Sequence, residues 1–215
     1  MIKYKMHILF LFIVTLCTFT FVSAEEPMLK NKTIYIDPGH GGRDPGAIYK
    51  DIKESDINLQ ISKYLKEELE NNGAQVYLTR IGDYDLSENN ARNHKKNDLT
   101  ARARLINESN CDMYISIHLN SDPSPTWNGI QIFYTDNNEN NKKIAETIKE
   151  QLKLKRKTKE LKNMYLFEKI SQPGILIEAG FISNPNDRYK LKQSEYQQEL
   201  SKNITEGIIK YFKNM

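Results

Sequence analysis

The chain has 215 residues, room for one ordinary domain with a real core but not for two comfortable ones. Hydrophobic residues make up 39% and charged residues 27%, a globular balance. The formal charge is +3, and Lys3 and Lys5 supply two of those charges, so the rest of the chain is close to neutral and lacks the concentrated basic face that nucleic-acid binding calls for.

The first element is a leader. Lys3 and Lys5 precede an apolar run from Ile8 to Val22, and Val22-Ser23-Ala24 puts small residues where a signal peptidase cuts. Residues 1–24 therefore read as a signal peptide, or as an N-terminal membrane anchor if left uncleaved, although the run is short for a membrane span. Residues 25–215 form the working domain, exported across the cytoplasmic membrane. After the leader only Cys111 remains, so no internal disulfide is available and the fold must stand on its core. The spacing makes Cys111 a small buried residue at a strand start.

Thr33 to Asp37 (TIYID) reads as a strand that stops at Pro38-Gly39. Asp56 to Asn71 carries apolar residues at helical spacing and ends at Gly73. Gln75 to Thr79 is a second strand, and the polar stretch from Ile81 to Asn97 reads as a loop. Asp98 to Ser109 follows as a helix with Asp98 as its cap. Met113 to Leu119 and Gly129 to Thr135 are strands, Asn140 to Leu154 an amphipathic helix, and Met164 to Ile170 a helical turn or two. Gly174 to Ala179 is a buried strand, and a helix from Glu195 to Phe212 closes the chain. Strands alternating with helices predict a single α/β domain: a twisted, mostly parallel sheet of about five to six strands, with helices on both faces.

In such sheets, chemistry gathers at the carboxyl ends of the strands. His40 follows the first strand, His118 ends the third, Glu178 ends a late one, and Glu54 stands at the entry to the first helix. A parallel sheet brings these two imidazoles and two carboxylates together. Two His and one carboxylate are a common ligand set for catalytic zinc with an open position, and a second carboxylate can serve as general base. Each His alone has a plainer reading, as a turn residue or a satisfied core residue. A carboxylate between Ile177 and Ala179 does not, because an unpaired buried charge is costly. His94, among Arg92, Lys95 and Lys96, reads as solvated.

At these residues the sequence resembles the type-3 zinc N-acetylmuramoyl-L-alanine amidase family. The opening motif stands as IDPGHGGRDPGA (Ile36 to Ala47) and the Glu motif as KESDINL (Lys53 to Leu59). The helix motif is L-T-A-R ending at Ile106-Asn107, and the second His motif is YISIHLNS (Tyr114 to Ser121). ILIEAGFISNPND (Ile175 to Asp187) comes last. The stretch Pro123 to Tyr134 and the Lys-rich segment before Met164 are similar to the germination-specific, spore-cortex branch. The resemblance implies hydrolysis of the amide between N-acetylmuramic acid and L-alanine of peptidoglycan, in cortex maturation where a deacetylase completes muramic-δ-lactam. It implies one Zn2+ per chain on His40, Glu54 and His118, with Glu178 as the catalytic Glu. It also implies that Arg102 supports the site or meets substrate carboxylates, and that Asn120 shapes the rim. Trp127 is a candidate to stack on sugar or to anchor its loop. The implied place of action is the cell wall or the forespore intermembrane space, with membrane contact only through an uncleaved leader.

The segment from Ile48 to Lys53, which delivers Glu54, lacks the glycines often seen there in the family. That departure and the missing wall-targeting module lead to the expectation of an activating or targeting protein partner. The competing reading is a non-catalytic, regulatory peptidoglycan-binding protein on the same fold. Degenerate relatives lose a ligand or the base, whereas here all four positions are filled.

Overall fold

The computed structural model describes residues 26–215. The expected leader, residues 1–24, lies outside the described residues. In chain order the elements are β1 (Thr33–Pro38), β2 (Ile48–Tyr49), β3 (Ile52–Lys53), α1 (Glu54–Asn71), β4 (Gln75–Leu78), α2 (His94–Glu108) and β5 (Met113–Asn120). They continue with β6 (Gln131–Tyr134), α3 (Glu139–Gln151), β7 (Lys159–Glu160), α4 (Tyr165–Lys169), β8 (Gly174–Phe181), α5 (Pro185–Leu191) and α6 (Ser194–Lys213).

The main sheet has six strands in the order β4-β1-β5-β8-β6-β7. Its pairings are parallel except for β6 against β8, which run antiparallel. The α/β sheet covered on both faces is thus as the alternating pattern predicts, with one reversed pair. Alternation of side chains along each strand sorts two cores. Ile34, Ile36, Met113, Ile115, Ile117, Ile175 and Ile177 face a large apolar cluster built with α1, α3 and α6. Tyr35, Tyr114 and Leu176 point the opposite way, against Ala103 and Ile106 of α2 and Leu166 and Phe167 of α4. Cys111 is buried in this second cluster, as expected.

One local expectation is corrected, and two elements join those predicted. The polar stretch before Asp98 is not loop throughout. α2 begins at His94, and Asn93 is its cap, its side chain accepting from the Lys96 amide at 3.0 Å. The first turn, His94-Lys95-Lys96-Asn97, buries no apolar residue, so it leaves no periodic trace in the sequence. The segment from Ile48 to Lys53, which delivers Glu54, is a two-stranded hairpin. It turns at Lys50, which adopts a left-handed φ of 55°, a conformation that costs glycine least. Finally, Pro185–Leu191 forms a short helix that the sequence reading left unassigned. Asn184 caps it by accepting from the Asn186 and Asp187 amides, and Pro185 sits where its missing N–H costs nothing.

The core is tightly filled on the α3/α6 side, where Ile148 is fully buried against Gly207. Truncation there leaves a cavity. Ile148→Ala should lower stability by about 2–5 kcal/mol, read as a fall in urea midpoint at unchanged slope.

Candidate active site

Each candidate side chain is delivered by a different element. β1 ends at Pro38, and the chain turns through Gly39 into His40, which holds a left-handed φ of 61°. A non-glycine residue in that region stores about 1–3 kcal/mol of strain unless its surroundings fix it. Gly39 is required by crowding: a Cβ there would stand 2.3 Å from the His118 ring. His40 Nδ1 meets Asp44 Oδ2 at 2.9 Å, which leaves Nε2 to face Glu54 Oε1 at 3.2 Å.

Glu54 is the first residue of α1, where a carboxylate is favoured by the helix dipole. Its Oε2 accepts the Ala47 amide at 2.9 Å, and Gly46 is close enough that a Cβ would sit 2.6 Å from the same oxygen. Oε1 gathers His118 Nδ1 at 3.1 Å, the Leu119 amide at 3.0 Å and Asn58 Nδ2 at 3.2 Å, besides His40. Burial works against the charge of Glu54. The contacts from His118 and His40 outweigh it and hold the carboxyl far below the usual carboxylate range. For His40, burial likewise opposes protonation, but Glu54 and then Asp44 hold its imidazole above the ordinary value.

His118 and Glu178 are register partners on the adjacent parallel strands β5 and β8, so their side chains leave the sheet on the same face. It is the face of α2 and α4, reached in the order Tyr114, Ser116, His118 and Leu176, Glu178. The side chains turn from apolar to polar towards the carboxyl ends. The site therefore lies on the sheet face near those ends and not beyond the rim, because Glu178 stands inside β8, ahead of Phe181. A pocket of about 330 Å3 opens there, with His40, His118, Glu178 and Arg102 at its base and Leu99, Tyr165 and Phe167 on its walls. Among the described residues, Glu178 Oε2 is buried without a hydrogen-bond partner. Burial pushes its carboxyl up to about 7, with His118 pulling the other way and Glu54 adding to the rise.

One nitrogen or oxygen each from His40, Glu54 and His118 lie within 4.8 Å of one another, a group able to hold a metal ion. The donor chemistry fits a catalytic ion such as zinc: two imidazoles and one carboxylate, with a further carboxylate alongside. Asp44 on the far nitrogen of His40 is the outer partner that a metal-bound imidazole usually has. Of the four side chains that sequence reasoning brought together, His40, His118 and Glu178 line one pocket, and the buried Glu54 contacts both imidazoles.

A family model described as N-acetylmuramoyl-L-alanine amidase matches residues 34–210. The chain belongs to this amidase family. It is 39% identical over 192 residues to the germination-specific N-acetylmuramoyl-L-alanine amidase of Bacillus subtilis, covering 86% of this chain and 81% of that one. Among solved structures it is similar to the CwlD amidase from Clostridioides difficile in complex with the GerS lipoprotein. That match has a TM-score of 0.82 and 36% identity, over 86% of this chain and 100% of the other. The N-acetylmuramoyl-L-alanine amidase from Clostridium difficile 630 gives a TM-score of 0.74 and 32% identity, over 85% and 97%.

In this amidase Arg102 is not free to meet a substrate. Its side chain is 1% exposed and its donors go to Asp98 Oδ2 (2.8 Å), Asp37 Oδ1 (2.8 Å), Pro38 O (2.8 Å) and His40 O (2.7 Å). Of the two roles expected for it, support of the site is the one its contacts perform. Asn120, at the end of β5, donates to Gln131 Oε1 at 3.0 Å and ties the rim to β6. Trp127 is 49% exposed with the Arg156 guanidinium 5.1 Å from its ring, outside the pocket lining. His94 is not merely solvated: its Nδ1 lies 2.8 Å from Arg43 and 3.2 Å from Ser87 Oγ. Sequence reasoning missed Asp37, Asp44, Asn58 and Arg80. Asp44 sits four residues after His40 in the opening motif, and Asn58 one helical turn after Glu54, so both spacings were available as signals.

Two outcomes follow from the packing. Gly39→Ala should push the His118 ring aside and abolish retention of a divalent ion through dialysis, read by elemental analysis, with the far-UV dichroism unchanged. Arg102→Met strands the fully buried Asp37 carboxylate and should cost about 3–5 kcal/mol in urea unfolding.

Proposed function

We propose that this chain is a zinc enzyme that hydrolyses the amide between N-acetylmuramic acid and the L-alanine of the stem peptide, acting on spore-cortex peptidoglycan outside the cytoplasmic membrane. The carrying observation is the convergence of His40, Glu54 and His118 on one another, with both imidazoles lining the pocket that also holds Glu178 and its unpartnered oxygen, in a chain of the amidase family. The germination-specific relative and the similarity to CwlD support the cortex. The basic start and apolar run of residues 1–24 support export, by a cleaved signal or by an anchor, and residues 25–215 are the catalytic domain. That the similar CwlD structure is a complex with the GerS lipoprotein supports an activating or targeting protein partner here too.

His40 Nε2, His118 Nδ1 and the Glu54 carboxylate would hold the ion. Bound zinc supplies Lewis acidity for the scissile carbonyl and acidifies water. Asp44 keeps His40 in the tautomer that leaves Nε2 free, and the Ala47 amide and Asn58 fix the carboxylate of Glu54. Glu178 is the proton carrier. A carboxyl with a pKa pushed up to about 7 accepts a proton from the attacking water and returns it to the departing nitrogen near neutral pH. An amide needs that second transfer because its nitrogen leaves poorly unless protonated. The apolar walls at Leu99, Tyr165 and Phe167 exclude competing water. A non-catalytic wall binder would have no use for a buried carboxylate lacking a partner, which costs free energy without return.

Purified protein incubated with zinc and muropeptides should release peptides with a free L-alanyl amino terminus, detected by mass spectrometry. Glu178→Gln should lower that rate by about 10²–10⁴-fold while keeping zinc, and a chelator should abolish release until zinc is restored. Intact muropeptides with a fully loaded protein would overturn the enzyme reading.

A further inference from the structure

The carbonyls that flank His40 have a second buried donor beneath them. Arg80 lies just past β4, with its side chain 1% exposed. Its Nε donates to Pro38 O at 2.9 Å, and Nη1 to Gly82 O at 2.9 Å. Its Nη2 donates both to Gly39 O at 2.9 Å and to Ser55 O at 2.8 Å. Every one of these acceptors is a backbone carbonyl. A guanidinium buried on carbonyls with no carboxylate in hydrogen-bond contact is an expensive arrangement. Burial, and then the neighbouring charge of Arg102, hold it below its ordinary pKa.

The acceptors explain what the expense secures. Gly39 immediately precedes His40, and Ser55 immediately follows Glu54. One planar side chain thus ties the β1 loop to the first turn of α1. Arg102 does not duplicate this: it anchors the His40 carbonyl to β1 and α2 and makes no bond to α1. Other links between the two segments are the Asn58 amide, which reaches Gly39 O at 3.3 Å, the Ser55 amide, which donates to Pro45 O at 3.1 Å, and the Glu54 carboxylate, which meets His40 Nε2 and the Ala47 amide; Arg80, like Asn58, acts on the Gly39 carbonyl next to His40. We propose that Arg80 is a positioning residue that clamps the His40 loop to the amino-terminal turn of α1 and thereby sets the spacing between His40 and Glu54 in the metal site. The inference rests on the metal-site reading given above. Lysine cannot replace the clamp, because an ammonium is a single point of charge and lacks the flat fork that reaches Pro38, Gly39 and Ser55 together.

The test is zinc affinity, measured on the full chain by competition with a chromogenic chelator. Thermal unfolding of the metal-free protein is followed in parallel. Arg80→Lys should bind zinc about 10–100-fold more weakly than wild type. Ile148→Ala, in the distant α3/α6 core, should lose stability yet keep wild-type zinc affinity. Arg80→Lys that is destabilised but binds zinc like wild type overturns the clamp. Wild-type protein that takes up no zinc at all overturns the metal-site reading and the clamp with it. Should Arg80→Lys fail to fold, the wild-type chain decides by NMR. The Arg80 Nε–H resonance, assigned through its own side-chain carbons, should shift and exchange more slowly as zinc is added. A resonance indifferent to zinc overturns the proposal.

Discussion

The site depends on one buried ion pair, Asp37 with Arg102. Asp37 is wholly enclosed and accepts from Arg102 at 2.8 Å, Thr79 Oγ1 at 2.7 Å and Ser116 Oγ at 2.8 Å. Burial alone would neutralise it; Arg102 and the Thr79 hydroxyl instead hold its carboxyl below the usual range. Arg102 is fixed in turn by Asp98, one turn earlier on α2. The pair therefore joins β1, the end of β4, β5 and α2 around a single charge centre. What it carries outward is the carbonyl of His40, gripped at 2.7 Å, at a residue whose backbone would otherwise relax out of the left-handed region.

The strands show how an apolar frame passes into chemistry without a change of element. On the α2/α4 face, β5 reads Tyr114, Ser116, His118 and β8 reads Leu176, Glu178. The first residues close the core against Ile106 and Phe167; the last line the pocket. The opposite face stays aliphatic along the same strands. The Glu178 carboxyl thus inherits the rigidity of a central strand, paired on one side to β5 and on the other to β6. His40 and Glu54 come from outside the strands, and Glu54 is secured at both oxygens by Ala47, Leu119 and Asn58.

Much of this was legible in the sequence for a physical reason. Strands and helices with one buried face leave a periodic trace, so the α/β order and the long helices α1, α3 and α6 could be read from spacing. His40, His118 and Glu178 stood just after or near the carboxyl ends of strands, where topology alone brings side chains together, and the family motifs then implied their roles. The remainder left no local trace. The first turn of α2 is solvated all round, and the β2–β3 hairpin is two residues wide on each side. Asp37 with Arg102 and Arg80 with Gly39 join residues 65 and 41 positions apart through contacts that no short pattern encodes. Arg102, expected to support the site or to meet substrate carboxylates, is interior because its partners lie on β1, in the His40 loop and one turn earlier on α2.

The floor of the pocket belongs to the sheet, but its mouth is framed by α2 and by the five-residue helix α4. Side chains of these two helices therefore share the pocket with Glu178. A rigid polymer such as a sugar strand would have to run along the outside while a slender branch is threaded inward to reach Glu178. Segments around α4 can then vary to admit broader or narrower branches, and the strands that hold the reacting groups need not change at all.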